Sequence, residues 1–430
     1  EDITESAGLE NYQWCSGVSM VDINQDGWLD IYVCVSGSAD FAHRANLLYV
    51  NNKDNTFSEK AKEYGLANTD QATQAAFFDY DGDGDLDMFL IINPVNYSLS
   101  SVNSVRTKLL GGQSESTDKL YRNNGNNTFT DVSSEAGITI EGYSLGVGIS
   151  DLDNDGWPDI YVSNDFLTND IMYINNGNGT FTDRSGERLK HTSFAGMGND
   201  LADINNDGLT DIMVLDMLPE DNKRQKNLIP AASYDKFQML LDRGYQEQYT
   251  RNTLQINNGN NTFSETSYLS GVSSTDWSWS VLLADYDNNG TKDAFVTNGF
   301  TRDLGNLDYI NYQQQSPQIF GTDVSKKMNR LKAITELPSV PIPNYFFSNN
   351  GDLTFTDTSN KWGISKPSLS NGAAYADLDN DGDLDEQHQS KGDDFKKQQR
   401  TFGRKSFFKN QSKGGQAEFR RNRLQNLGKY

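Results

Sequence analysis

Long apolar runs are missing from this 430-residue chain, and no stretch approaches the roughly 18–20 apolar residues of a membrane-spanning helix. Basic residues are outnumbered, with 37 Lys and Arg against 60 Asp and Glu. The net charge of −23 repels nucleic acids and anionic membranes, so neither is an expected partner. A signal peptide and an initiating methionine are also lacking. We therefore expect the true N-terminus, with any export signal or lipid anchor, to lie upstream.

Cysteine is scarce as well, and the two present, Cys15 and Cys34, flank one Asp-rich segment. Reflection about the centre of that segment places Val18 opposite Cys34, so a disulfide would require a shift of strand register. We expect two small buried thiols, and a disulfide is the alternative.

Acidic side chains recur with a fixed spacing in residues 151–159. Its first, third, fifth and ninth positions carry carboxylates: Asp151, Asp153, Asp155 and Asp159. Gly156 permits a sharp turn, which brings these oxygens and the Trp157 carbonyl around one point. Calcium takes about six to eight oxygens in this way. The segment begins like an EF-hand loop, but its last acid is at the ninth position and an apolar strand follows.

The same spacing occurs six times, which chance does not explain. The predicted metal ligands, with the seventh position contributing its carbonyl, are Asp22, Asn24, Asp26, Trp28 and Asp30; Asp79, Asp81, Asp83, Asp85 and Asp87; Asp151, Asp153, Asp155, Trp157 and Asp159; Asp203, Asn205, Asp207, Leu209 and Asp211; Asp285, Asp287, Asn289, Thr291 and Asp293; and Asp377, Asp379, Asp381, Asp383 and Asp385. We expect up to six calcium ions. The alternative is that some copies are Asx-rich turns without metal. The loop at 285 is the weakest, because Asn289 replaces an acid and Lys292 lies inside it.

Crowded carboxylates need a cation. Two unit charges about 4 Å apart repel by roughly 4 kcal/mol at an effective dielectric constant near 20. Loops of this kind, with millimolar-range affinity for calcium, suit a calcium-rich extracellular fluid better than cytosol.

Each loop lies within a repeat of short strands. In the third repeat, residues 144–150, 159–163, 170–174 and 181–183 are predicted as four antiparallel strands, with an Asn- and Gly-rich turn before the last. Phe181 follows that turn and is expected to anchor the outer strand in the gap between repeats. Four strands in about fifty residues are typical of a β-propeller blade, so we predict an all-β propeller.

Three insertions separate the repeats. The first, at 94–118, is predicted to be a loop. The second, at 217–250, contains a helix start at 219–221 and a helix at 234–241. The third, at 301–343, contains a helix near 324–337. Insertions on one rim of a propeller are where specificity is expected.

Both ends of the chain depart from the repeat pattern. Residues 1–4 align with the outer strand at 130–133, so they either complete the last blade as a closing strand or are the end of a seventh blade begun upstream, and we favour the second. No apolar strand follows Asp385, and residues 386–430 contain 12 Lys and Arg against four acids. We predict a propeller domain at 1–385 and a basic tail at 386–430 that is disordered or a frame-shift artefact. A tail that lies on the acidic body is the alternative.

The Asp-rich repeats resemble the FG-GAP/VCBS family of calcium-loop propellers, which is related to the integrin α head. Segments 196–200, 215–221, 275–279 and 370–375 resemble more closely bacterial proteins related to cartilage acidic protein, which carry an ASPIC/UnbV domain. The resemblance implies a seven-bladed propeller with calcium in its loops. It also implies an exported protein, often lipid-anchored, at the cell surface or in the periplasm of a bacterium with an outer membrane.

No catalytic motif accompanies the loops. The three histidines, His43, His191 and His388, lie in no Ser-His-Asp or Cys–His pattern, and the loops take up the acid clusters. We predict a non-catalytic adhesion module that binds a protein or a glycan at its rim. The rings of Trp28 and Trp157 are candidates for stacking on sugars, or else pack in the rim. The alternative function is a calcium-dependent polysaccharide lyase with a Tyr, His or Lys base.

Overall fold

A computed structural model describes residues 2–37, 44–94, 105–228, 234–309, 332–376 and 384–390, the last of these from 385 onward by backbone alone. Five antiparallel sheets of four strands follow one another along the chain. The strands of the first three sheets are β1 (Cys15–Val21), β2 (Asp30–Val35), β3 (Leu47–Asn51) and β4 (Phe57–Glu59); β5 (Ala72–Phe78), β6 (Asp87–Ile92), β7 (Lys119–Asn123) and β8 (Phe129–Asp131); and β9 (Ser144–Ser150), β10 (Asp159–Asn164), β11 (Ile171–Asn175) and β12 (Phe181–Asp183).

The later sheets keep this order. The strands of the second half are β13 (Thr192–Ser193), β14 (Asn199–Ala202), β15 (Asp211–Val214), β16 (Gln248–Tyr249), β17 (Thr253–Asn257) and β18 (Phe263–Glu265); β19 (Ser278–Ala284), β20 (Asp293–Asn298), β21 (Tyr345–Asn349) and β22 (Phe355–Asp357); and β23 (Ser370–Ala376) and β24 (Asp385–Ser390). The fourth sheet has the order β14-β15-β17-β18, while β13 and β16 form a separate parallel pair. The four strands predicted for the third repeat are confirmed to within one residue at each end.

Helices are few and short. The described ones are α1 (Ala61–Tyr64), α2 (Ser185–Arg188), α3 (Asn222–Asn227), α4 (Tyr234–Asp242), α5 (Ser267–Ser270) and α6 (Ser359–Trp362). The helix start predicted at 219–221 is confirmed, because the side chain of Asp221 caps α3 by accepting a hydrogen bond from the Arg224 amide. The predicted helix at 234–241 is α4. Of the helix predicted at 324–337, residues 332–335 are helical and 324–331 lie outside the described residues. Within the described residues, no helix is long and apolar enough to cross a membrane.

The first strands of successive sheets lie side by side, β1 against β5, β5 against β9, β9 against β14, β14 against β19 and β19 against β23. The apolar core fills the gaps between neighbouring sheets. One cluster joins Tyr32 and Leu48 of the first sheet to Met88 of the second, and Phe129 closes it. Phe181 occupies the same place between the second and third sheets. The predicted anchoring role of these phenylalanines is therefore confirmed, and the arrangement is that of a repeat β-propeller-like fold.

The N-terminal alignment has a structural counterpart. The Asp2 carboxylate accepts hydrogen bonds from the amide and hydroxyl of Thr4, as Asp131 does from Ser133. Residues 2–9 thus repeat the turn that follows the outer strand of the second sheet. The seven-blade count stays a prediction.

The last described sheet extends past the predicted domain boundary. β24 pairs with β23 through Ser390, so residues 386–390 form a strand although their side chains are polar. Ladder hydrogen bonds use the main chain, and they do not require apolar side chains. Residues 377–383, which include most of the sixth loop, and 391–430 lie outside the described residues.

The two cysteines are free, and only Cys34 is buried. The predicted pairing of Val18 with Cys34 is wrong by one residue: Gly17 faces Cys34, Val18 faces Val33, and Cys15 faces Val35. The register shifts between Cys15 and Gly17, as in a β-bulge, which a reflection of the sequence cannot include. Cys15 is exposed, so the expectation of a buried thiol fails there.

Close packing of the first strands depends on glycine. A Cβ atom at Gly17 would lie 2.2 Å from the Thr73 carbonyl oxygen of the second sheet. Gly372 has the equivalent place in β23, and a Cβ there meets no described atom within 4 Å.

Replacing Gly17 by alanine should therefore separate the first two sheets and lower the free energy of unfolding by about 1–3 kcal/mol. Urea unfolding followed by tryptophan fluorescence measures this. Gly372→Ala is the matched control and should be neutral. Equal stabilities of the two variants would contradict the packing role of Gly17.

Candidate metal centre

The third Asp-rich loop curls around its first carboxylate. Asp151 accepts hydrogen bonds from the amides of Asp155 at 3.1 Å and Gly156 at 2.9 Å, and Asp155 accepts one from the Trp157 amide. Asn154 and Gly156 have φ angles of 58° and 92°, a left-handed backbone that glycine and asparagine tolerate. The side chains thereby converge on the inside of the loop.

The other four loops in the described residues fold alike. In each, the first aspartate accepts hydrogen bonds from the fifth and sixth amides of the loop. The predicted turn at the glycine is confirmed in all of them, with positive φ at Gly27, Gly84, Gly208 and Gly290.

Three loops bring three carboxylates within reach of one ion, with ligand oxygens within 4.8 Å of one another. The groups are Asp79, Asp81 and Asp87; Asp151, Asp153 and Asp159; and Asp285, Asp287 and Asp293. The loop expected to be the weakest is among them. The loops at 22 and 203 carry Asn24 and Asn205 at the third position, where these three have aspartate.

Unpartnered oxygens test whether these groups fit a cation. Asp81 Oδ1, Asp153 Oδ1 and Asp293 Oδ2 are buried, and none has a hydrogen-bond donor. A buried acceptor without a partner is costly, and a divalent ion would satisfy one such oxygen in each of the three loops. An all-oxygen ligand set of this kind is compatible with calcium.

The ninth residue has a second role in four of the described loops, which the ligand spacing did not indicate. Asp159 is fully buried; its Oδ2 accepts the Leu152 amide of its own loop and its Oδ1 accepts the Asn175 amide at the end of β11, both at 2.8 Å. Asp30, Asp87 and Asp211 hold equivalent pairs of amides. This carboxylate therefore fastens the loop to the third strand of its sheet.

Burial disfavours the ionised form of the carboxylates at the ninth position. It raises the pKa of Asp87 and Asp159 to about 7 and that of Asp211 and Asp293 to about 6, although backbone hydrogen bonds act in the opposite direction. A cation in the loop would favour the ionised carboxylate.

The family model for the FG-GAP-like repeat matches residues 22–90, 109–162, 151–214 and 243–296, more than half of the chain. The chain belongs to the FG-GAP-like repeat family. The matched segments contain all five described loops. A comparison with curated proteins gave no match.

The solved structures matched by this FG-GAP chain share little sequence with it. The Bacillus licheniformis rhamnogalacturonan lyase PL11 is 13% identical with a TM-score of 0.37, and the alignment covers 87% of this chain and 55% of the lyase. The V. cholerae biofilm matrix protein Bap1 is 15% identical, with a TM-score of 0.32 and coverage of 69% and 37%. The Photorhabdus luminescens Tc holotoxin pore is 16% identical, with a TM-score of 0.29 and coverage of 66% and 11%.

Asparagines link three of the described FG-GAP loops to the next sheet. Asn257, the last residue of β17, donates through Nδ2 to the Thr210 carbonyl of its own loop at 3.3 Å. The same group donates to the Leu152 carbonyl in the loop of the preceding sheet at 2.9 Å. Asn175 and Asn349 make the same pair of bonds. The sequence marked these residues as a turn but did not indicate a contact between sheets.

Basic side chains also reach two loops. Arg188 on α2 places Nη2 2.9 Å from Asp153 Oδ2, and both side chains are nearly buried. Lys53 Nζ lies 3.3 Å from Asp26 Oδ2 at the first loop. Each basic group thus contacts one oxygen of a predicted ligand, and the other oxygen of Asp153 stays without a protein partner.

The two loop tryptophans differ. Trp28 is 46% exposed, as a ring that stacks on a ligand must be. The Trp157 ring is partly buried and lies against Gly82 of the second loop and Gly177 of the turn after β11. It therefore packs between sheets.

His191 lies in a polar network away from the loops. Its Nε2 is 2.7 Å from Arg251 Nη2, which donates to Glu265 Oε2 at 3.0 Å. Burial opposes the charge of Glu265, but hydrogen bonds from His191, Ser267 and Arg251 outweigh it and lower the pKa to about 2. His43 and the side chain of His388 lie outside the described residues.

Removing one loop ligand should remove one bound calcium. Asp81→Ala is the sharpest test, because Asp153→Ala would also leave the buried Arg188 without its partner. Isothermal titration calorimetry should show one fewer equivalent of calcium and a smaller rise of the melting temperature on calcium addition. Asp54→Ala, in an exposed turn, is the control. An unchanged stoichiometry in Asp81→Ala would contradict a site in this loop.

Removing the bridge between sheets should destabilise the chain more than removing a similar asparagine beside it. Asn257→Ala leaves the Leu152 carbonyl without this donor, and we expect a loss of about 1–3 kcal/mol in the free energy of unfolding. Asn258→Ala, whose side chain makes only exposed bonds to Thr262 and Ser264 of its own hairpin in the described contacts, should change it by less than about 0.5 kcal/mol. Chemical denaturation in calcium compares them, and equal losses would argue against the bridge.

Proposed function

We propose that this FG-GAP protein is an exported, calcium-binding propeller that attaches to a protein or glycan partner and catalyses no reaction. Its finer assignment follows the sequence: a seven-bladed member of the ASPIC/UnbV-associated VCBS type, with adhesive function at a bacterial surface. Calcium in the loops would hold each hairpin closed in extracellular fluid, where the ion is abundant.

A surface of two exposed tyrosines around a largely buried arginine supports binding. The Arg251 guanidinium lies between two rings, 5.3 Å from the centre of Tyr249 and 4.8 Å from that of Tyr268. Tyr268 is 64% exposed and Tyr249 is 39% exposed. Phe237 of α4 stacks behind Tyr249 at 5.7 Å. This Tyr-Arg surface presents rigid aromatic groups of the kind that dominate protein interfaces and stack on sugars.

The polar groups beneath the Tyr-Arg surface favour binding over catalysis. Arg251 and His191 both contact Glu265, so the three side chains hold one another and fix the orientation of the rings. A lyase base would have to reach the substrate from this network or from another cleft. Product formation is therefore the observation that separates the two functions.

Arrays of glycans and of bacterial surface proteins, probed in calcium, test the proposal. Wild-type protein should give a ligand whose signal falls about tenfold or more in Tyr268→Ala, since anchor side chains contribute about 1.4 kcal/mol or more. Tyr12→Ala is the control, because Tyr12 is 94% exposed and belongs to the N-terminal segment.

Incubation with acidic polysaccharides, followed by absorbance of unsaturated products, completes the test. Absence of product together with a Tyr268-dependent ligand supports a binding module. Release of unsaturated sugars would overturn the non-catalytic assignment.

A further inference from the structure

An acidic cleft lies in the third insertion, away from the metal loops and the Tyr-Arg surface. Its volume is about 380 Å³, within the range of about 300–1,000 Å³ typical of small-molecule sites. One wall comes from residues 303–309 and the other from residues 333–338. Three carboxylates line the cleft, those of Asp303, Asp308 and Glu336.

The deepest carboxylate is unsatisfied. Asp303 is 5% exposed, and its Oδ1 is buried without a hydrogen-bond donor. Its Oδ2 accepts from Asn306 at 3.2 Å and lies 3.7 Å from Arg224 Nη1. Arg224 also makes a two-bond ion pair with Asp276, so one positive charge is shared between two carboxylates. Asp303 therefore has capacity for a further cationic partner.

The other two acids are at the mouth. Asp308 and Glu336 are exposed, and Glu336 pairs with Lys332 at 3.9 Å on an exposed helical turn. Such a surface pair is weak and readily exchanged. A cation entering the cleft would thus meet carboxylates at its mouth and at its floor.

Apolar side chains also line the cleft, and they indicate which kind of cation fits it. Ala333, Leu337 and Pro338 line the same cleft. A lysine or arginine side chain can lay its methylene stem on such a wall and place its charged end against a carboxylate. A bare metal ion gains nothing from the apolar wall, and the three-carboxylate groups spaced for one ion in the described residues are those of the loops.

Hydrogen bonds join the two walls of the cleft. The Asp303 amide donates to the Pro338 carbonyl and Arg302 donates to the Leu337 carbonyl, both at 3.1 Å. Phe300 and Val340 exchange backbone hydrogen bonds just outside the cleft. The cleft is therefore held in shape before any ligand arrives, which reduces the cost of binding.

We propose that this cleft binds a single lysine or arginine side chain of a protein partner. The inference rests on the proposed binding function and adds to it the class of partner and the residues that receive its charge. A glucosamine polymer also carries ammonium groups, but its rings lack the flexible stem that the apolar wall would cover.

Saturation-transfer NMR with the peptide Gly-Gly-Lys-Gly-Gly, in excess calcium and about 0.15 M salt, tests the cleft. Transfer to the lysine methylenes is expected, and a peptide with norleucine in place of lysine should bind at least about tenfold more weakly. The double variant Asp308→Asn with Glu336→Gln should lose about tenfold in affinity, as two exposed charge pairs contribute. The control removes two exposed acids elsewhere, Asp54→Asn with Glu63→Gln, and should bind normally.

Equal binding of the lysine and norleucine peptides, or equal affinities of the two double variants, would overturn the proposal. A chitosan hexamer could also bind more strongly than the peptide and lose its binding in the Asp308→Asn, Glu336→Gln variant. That result would assign the site to a glycan and would also overturn the proposal. If the arrays give a Tyr268-dependent ligand but the peptide does not bind, the proposed function stands and only the proposal for the cleft is refuted.

Discussion

In four of the described repeats, one buried carboxylate at the end of the Asp-rich loop is the contact on which the sheet depends. Asp159 shows the principle, because its two oxygens hold the amides of Leu152 in the loop and Asn175 at the end of the third strand. Burial makes its charge unfavourable, and the remaining lone pairs face a loop crowded with other acids. A cation in that loop would offset both costs. A bound cation would therefore act on the same carboxylate that fastens the loop to the sheet.

Hydrogen bonds connect neighbouring loops. Gln25 of the first loop donates to the Gly84 carbonyl of the second, and Asn206 of the fourth donates to the Gly290 carbonyl of the fifth. The bridging asparagines, such as Asn257, connect a loop to the following sheet as well. Because each sheet touches its neighbours through such contacts, stability should behave as a sum of repeat and nearest-neighbour terms, as in other repeat proteins.

Periodic features were predictable from the sequence, and single long-range contacts were not. Side-chain spacing marks the loops, the four strands of a sheet and the helix α4, since each reflects a local geometric repeat. The ion pair of Arg188 with Asp153 joins residues 35 positions apart, and no local pattern contains it. The register at Cys15 depended on a bulge, and the contact of Asn257 with Leu152 depended on which sheets are neighbours. Such features arise only after the sheets have packed.

The described part of the first insertion is fixed to the third repeat and to the second insertion. Lys108 in the first insertion donates to Asn169 of the third repeat at 2.8 Å, and its amide donates to the Arg243 carbonyl after α4. Glu141 pairs with Arg106 of the same insertion. Desolvation on burial lowers the pKa of Lys108, and the hydrogen bond to Asn169 gives the buried amine a partner. Rim segments held in this way lose little further conformational entropy when a ligand binds. Contacts of this kind favour a surface that is formed before a ligand arrives, and a cation in the loops would stabilise it further.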